Sequence, residues 1–126
     1  MFSGSWRDLP VEFQDDSFGE TRTADAGGMT VAFERIKAGI GTAPIFVGLP
    51  DDSCQSPHWG FLFKGRFRVL SKDGEHVVEA GQAYYLPPGH NLVIEEGCDL
   101  IEFSPAEARR RTLEHAQKRA AEILGA

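Results

Sequence analysis

From Met29 onward the chain alternates short apolar runs with Gly, Pro and Asp-Gly punctuation. This texture predicts many short antiparallel strands and argues against a layered helix-and-sheet fold. The segments 29–36, 44–49, 59–63, 67–70, 75–79, 83–86, 91–94 and 100–103 read as about eight strands. Lys64-Gly65-Arg66 and Asp73-Gly74 read as hairpin turns between them. Strands at such short, regular spacing favour an all-β barrel or sandwich. Residues 1–28 are rich in Asp, Ser, Gly and Thr, with aromatics at Phe2, Trp6, Phe13 and Phe18 but no sustained period, and are expected to form an irregular arm docked on the domain or on a partner subunit.

The C-terminal pattern differs in kind. Ser104 as N-cap, Pro105 at the first helical position and Glu107 three residues after the cap predict a helix over 105–124. Leu113, Ala116, Ala120 and Leu124 supply its apolar stripe. The run Arg109-Arg110-Arg111 reads as part of its solvated face.

At 126 residues, with 41% hydrophobic side chains and nine Phe, the chain suits one domain with a core that needs no disulfide. The expected limits are a barrel over about 29–104 followed by the helix. A formal charge of −6 gives the wrong sign for binding a phosphate backbone, so nucleic acid is not an expected partner. No window approaches the ~18 uninterrupted apolar residues of a membrane span. The N-terminus shows no basic region leading into an apolar stretch, and Cys54 and Cys98 are the only cysteines; a cytoplasmic protein with reduced thiols is expected. Edge strands and outward aromatics such as Phe61 and Phe63 point to a homodimer.

One stretch is more specific. Gly81-Gln-Ala-Tyr-Tyr-Leu-Pro87-Pro-Gly89 resembles the second sequence motif of the cupins, a glycine, five residues, a proline, any residue and a glycine. Upstream, His58-Trp-Gly-Phe-Leu-Phe-Lys-Gly65 resembles the end of the first cupin motif. Together with the run 50–60, which contains Cys54, Pro57 and His58, and the run 84–90, the chain is similar to a group of small bacterial cupin-domain proteins. The resemblance covers about residues 29–105 and implies a cupin barrel, a double-stranded β-helix or jelly roll, with a C-terminal helix. Fold alone leaves the reaction unassigned.

In metal-binding cupins two histidines, a glutamate and a third histidine converge inside the barrel. Against that pattern His58 stands at the glutamate, Cys54 at the second histidine and Asp52 at the first, while Leu92 stands at the last histidine with His90 two residues before it. One expectation is that Cys54, His58 and His90 hold a divalent metal, with water or a carboxylate completing the shell. Thiolate with imidazole favours zinc, with iron or copper as the other candidates. The competing expectation is a metal-free ligand-binding or regulatory module, in which these side chains are ordinary buried or hydrogen-bonded groups. Under either, Trp59, Leu62, Tyr84, Leu86 and Leu92 are expected to line a pocket for a small molecule, with Tyr84 and Tyr85 on opposite faces. Glu34 and Glu79 are weaker candidates for an inward carboxylate, and His76 and His115 are expected to face solvent.

Overall fold

Two long antiparallel strands, β4 (His58–Ser71) and β7 (Asn91–Pro105), pair along most of their length and form the spine of the molecule. The structure is a computed structural model and describes residues 1–125. Around the spine stand β1 (Val11–Asp15), β2 (Gly19–Ala26), β3 (Met29–Ile36), β5 (Gly74–Glu79) and β6 (Ala83–Leu86), in the sheet order β1-β2-β3-β7-β4-β5, with β6 also paired to β4.

The edge partners change halfway along the spine, and this change closes the sheet on itself. β4 pairs β6 through His58–Phe61 and β5 through Arg66–Ser71. β7 pairs β3 through Cys98–Pro105, while its first half faces the isolated bridge between Gly41 and Val93. At the crossover the register of β4 on β7 shifts between Leu62 and Phe67. Leu62 and Phe67 are both fully buried although five residues apart, because the bulge between them reverses the strand's alternation. Gly65 makes the bulge possible: its φ is +93°, and a Cβ there would stand 2.2 Å from the Gly97 carbonyl oxygen. Leu62, Phe67, Val78, Leu86, Ile94 and Leu100 fill the space so enclosed.

Two helices close one mouth. α1 (Ala43–Phe46) packs on α2 (Ala106–Gly125), and Phe46, Cys54 and Ala116 form a second apolar cluster between helices and barrel.

Several sequence expectations are corrected. Residues 1–28 are not an irregular arm: β1 and β2 extend the sheet, with β2 in continuous register on β3 from Gly19 to Ala26. The pattern is hidden because β2 buries polar Thr21 where an apolar residue would signal a strand. The segment 44–49 is not a strand; Pro44 sits in the first turn of α1, where its missing N–H costs nothing. Lys64-Gly65-Arg66 is a bulge inside one continuous β4, and 91–94 and 100–103 belong to one β7, so seven strands stand where about eight were expected. Ser104 lies within β7 and is not a helix cap, since α2 begins at Ala106.

Candidate metal centre

The site begins with a backbone bridge. Cys54 N–H donates to the His90 carbonyl at 2.8 Å, and Gly89 N–H donates to the Cys54 carbonyl at 2.7 Å, which sets two chemically active residues side by side. His58 follows four residues later as the first residue of β4 and points inward. One ligand atom from each of Cys54, His58 and His90 lies within 4.8 Å of the others. Cys54 and His90 are 3% and 2% exposed.

The second nitrogen of each imidazole is already engaged. His90 Nδ1 lies 2.7 Å from the Pro87 carbonyl oxygen, an acceptor only, so Nδ1 carries the proton and Nε2 the lone pair. His58 Nδ1 lies 2.6 Å from Ser104 Oγ, while its Nε2 lies 3.5 Å from Cys54 Sγ. A ring nitrogen turned inward with the other tied to a carbonyl or hydroxyl is the usual arrangement of a metal-binding histidine. Tetrahedral zinc, with Zn–S about 2.3 Å and Zn–N about 2.05 Å, spaces its sulfur and nitrogen ligands ~3.5 Å apart. The Cys54–His58 separation matches that span. The donor set therefore fits a divalent metal with a position left open.

Burial sets the protonation states. It pushes both histidines down, each to about 4; the Arg109 charge adds to this at His58, and the Pro87 hydrogen bond opposes it at His90. Both rings are neutral and competent as ligands at neutral pH. Burial pushes the Cys54 thiol up to about 12, so it keeps its proton until a metal displaces it.

Beside the three donors lies a carboxyl cluster. Glu102 Oε2 is 3.7 Å from His58 Nδ1, a contact that is not an ion pair because His58 is neutral. Tyr84 Oη donates to Glu102 Oε1 at 2.8 Å. The Tyr84 ring reaches across Gly60, where a Cβ would meet the phenol oxygen at 2.5 Å. Glu34 on β3, partly exposed and lining the cavity, is held up to about 8 by burial and then by Glu102; burial likewise raises Glu102. Arg109 on α2 lines the same space, and its two terminal nitrogens donate to the two carboxylate oxygens of Glu12 at 2.7 Å each.

These groups border a cavity of about 170 Å³ between barrel and helices, whose remaining walls include Phe18, Ile36, Ile40, Phe46, Leu92 and Leu113. A wider surface cleft of about 640 Å³ touches His90 from the other side, along Asp51, Asp52 and Pro87–Asn91, but neither Cys54 nor His58 lines it.

Of the residues expected to line a pocket, Leu92 does so. Leu62 and Leu86 are packed into the core, 0% and 2% exposed, and do not border the cavity. Tyr84 does not border the cavity either; it donates to Glu102, which does. Trp59 is corrected: it is 46% exposed on the outer face, its ring 5.1 Å from that of Tyr85. Neighbouring strand residues face opposite sides, so with His58 inward Trp59 cannot be. Asp52, the other residue aligned with a family ligand, caps Gly48 N–H through Oδ1, and its side chain is not one of the clustered donors. Glu79 is exposed, as is His76, whereas His115 lies 2.7 Å from the Val47 carbonyl through Nε2.

Glu102, Ser104 and Arg109 were not anticipated. Glu102 and Ser104 follow Leu100 at intervals of two and so share its inward face. Arg109, Thr112, Leu113 and Ala116 follow helical spacing along the face of α2 that lines the cavity, so Arg109 does not belong to the solvated face.

No family model and no curated protein matches the sequence. Solved structures do match in shape. Oxalate decarboxylase from Bacillus subtilis at pH 4.6 superposes with a TM-score of 0.58 at 18% identity, over 81% of this chain and 28% of that one. A second structure of the same enzyme, concerned with its Mn(II) centres, gives 0.59 at 17% identity with the same coverage. A cupin-2 domain protein from Shewanella frigidimarina aligns at 0.49 and 15% identity, over 68% of this chain and 78% of that one. The chain spans under a third of the oxalate decarboxylase chain. The fold is that of a cupin, and the Cys/His/His group within it is suited to a metal.

Proposed function

We propose that this protein is a small-molecule-binding cupin that holds a divalent metal, with zinc preferred, through Cys54 Sγ, His58 Nε2 and His90 Nε2. The observation that carries the reading is the convergence of these three donors while Ser104 and the Pro87 carbonyl occupy both Nδ1 atoms. A thiolate with two imidazoles favours zinc or copper over manganese. The bound metal would supply a Lewis acid or an activated water, which suits hydrolysis or isomerisation.

The chain's own residues would complete the chemistry. Glu34 and Glu102 offer carboxyls at the cavity wall whose protons are held more tightly than in water, the property wanted in a general acid. Tyr84 fixes the Glu102 carboxyl through Oε1, and Arg109 balances the cluster from α2. The apolar walls exclude water from the polar end.

A metal-free binding module is the second reading, favoured by one observation: Cys54 Sγ lies 3.7 Å from the Ser56 carbonyl, so a protonated thiol is satisfied without a metal. Elemental analysis of protein purified without a metal-affinity tag separates the two. Near-stoichiometric zinc, lost in a folded His58→Ala variant, is expected; a folded wild-type protein that retains no metal after zinc loading and dialysis overturns the proposal.

A further inference from the structure

We propose that the outer face of the barrel wall formed by β7, β4 and β6 binds a second copy of this chain, giving a twofold dimer with Trp59, Phe61, Phe63, Tyr85 and Phe103 at its centre. The inference does not depend on the metal reading, because these side chains leave the wall on the side opposite His58.

The strand register puts the five on one surface. Residues directly opposite each other across an antiparallel ladder share a face. Trp59 stands opposite Phe103 of β7 and Tyr85 of β6, and Phe61 stands opposite Ile101 and Ala83 in the next row. Phe63 continues the alternation along β4, its ring 5.1 Å from that of Phe61.

The chain covers this face itself only as far as β3. Phe33 of β3 stands opposite Ile101, and Trp6 lies over it with ring centroids 6.3 Å apart. Arg22 and Arg35 hold the indole from its faces, at 5.3 and 4.5 Å. No described segment does the same over β7, β4 and β6, where the five aromatics are between 36% and 56% exposed.

Area, charge and shape select the occupant. At about 200 Å² for a whole aromatic side chain, these exposures leave about 450 Å² of ring surface open. That is more than half of the ~800 Å² that each partner contributes to a stable interface. Ile101 and the aliphatic stem of Lys64 extend the patch at its margin. The two central rows carry no charge, and the first charges beyond them, Lys64 and Asp99, are opposite in sign and opposite in register. The face therefore meets its own image without setting like charges together, although the chain carries −6 overall. An aromatic, uncharged centre with charges at the rim is the composition of an interface core. The wall is a pleated sheet, and sheet faces pack on one another ~10 Å apart. A small ligand would leave most of these rings in water.

The test is the mass of the full chain by size exclusion with light scattering at micromolar concentration, with and without zinc. Twice the chain mass of 13.9 kDa is expected in both forms. Phe61→Lys sets a charge at the centre and Trp59→Ser removes the central ring; each should raise the dimer dissociation constant at least tenfold in sedimentation equilibrium, with far-UV circular dichroism unchanged. Tyr85→Ser serves if Trp59→Ser misfolds. Val47→Ser, at an exposed apolar position on the helical side, should leave the dimer intact. A wild-type monomer overturns the inference and leaves the face to a different partner. A dimer that survives folded Phe61→Lys and Trp59→Ser also overturns it, as does one that Val47→Ser weakens equally. A monomer that retains zinc sinks this inference alone. A patch-dependent dimer that takes no metal sinks the metal reading alone.

Discussion

Replacing Ser104 by alanine distinguishes the site as the structure draws it from the helix cap that the sequence pattern implies. Ser104 is 1% exposed, and its hydroxyl lies 2.6 Å from His58 Nδ1. With His58 Nε2 turned toward Cys54, the hydroxyl holds the ring's orientation. Loss of such a supporting group lowers metal affinity by about 10–100-fold, or roughly 1.4–2.7 kcal/mol. The metal-free fold should lose about 1 kcal/mol, the usual worth of one hydrogen bond, because the next acceptor, Glu102 Oε2, stands 3.7 Å from Nδ1. A lost N-cap also costs about 1 kcal/mol, so stability alone does not decide between the two roles. Two other readouts do. Competition against a chromophoric zinc chelator should show the weakened affinity, and far-UV circular dichroism should show α2 unchanged. Unaltered zinc affinity together with a loss of helical signal would refute the assignment of Ser104 to the site.

Stability of the metal-free protein should fall between pH 6.5 and 8. The histidines, near 4 when folded against an ordinary 6.5, make the unfolded chain bind more protons between those values; their contribution is complete above pH 6.5 and is lost as pH drops through 4. Glu34, near 8 when folded against 4.5, acts in the opposite sense, since the unfolded chain releases that proton first and folding weakens as pH rises to 8. Above 6.5 the carboxyl effect stands clear of the histidines, so urea denaturation should reveal the decline and Glu34→Gln should reduce it, the rest belonging to Glu102, which burial also raises; a wild-type profile still rising over that range contradicts the argument. Gly65→Ala should cost at least ~2 kcal/mol, because a left-handed φ is imposed on alanine and its Cβ meets the Gly97 carbonyl; a loss within experimental error would mean that the bulge relaxes. Arg109→Met should destabilise by about 2 kcal/mol, below the 3–5 typical of a fully buried pair because Arg109 and Glu12 keep 13% and 20% side-chain exposure, and adding Glu12→Gln should restore part of the loss. A cost below about 0.5 kcal/mol would reclassify this contact as an ordinary surface pair.

Much of the barrel could be read from apolar periodicity, and the limits of that reading have physical causes. β3 and β6 fall where alternation and β-branched or aromatic residues place them. β2 escapes notice because ladder hydrogen bonds to β3 hold a strand whose side chains are mostly polar. The bulge at Gly65 imitates a hairpin, since both need a glycine at positive φ between apolar runs, and only the partner strand tells them apart. Cys54 and His58 stand at motif positions and His90 two residues before one, and the structure brings their donor atoms together. Ser104 misled because a serine followed by proline and a glutamate satisfies the local grammar of a cap, while the His58 ring that engages it is 46 residues away in the chain. Long-range partners of that kind leave no trace in local spacing.

The shared spine has a consequence for how the domain opens. Since β4 and β7 each run through both halves of the barrel, neither half holds a complete set of hydrogen-bonded neighbours once the other melts. The helices α1 and α2 lie outside the ladder and are not interlocked in this way. Amide exchange should accordingly divide the chain into two tiers, with protection along both spine strands tracking global unfolding and the helical cover exchanging through smaller, more frequent excursions.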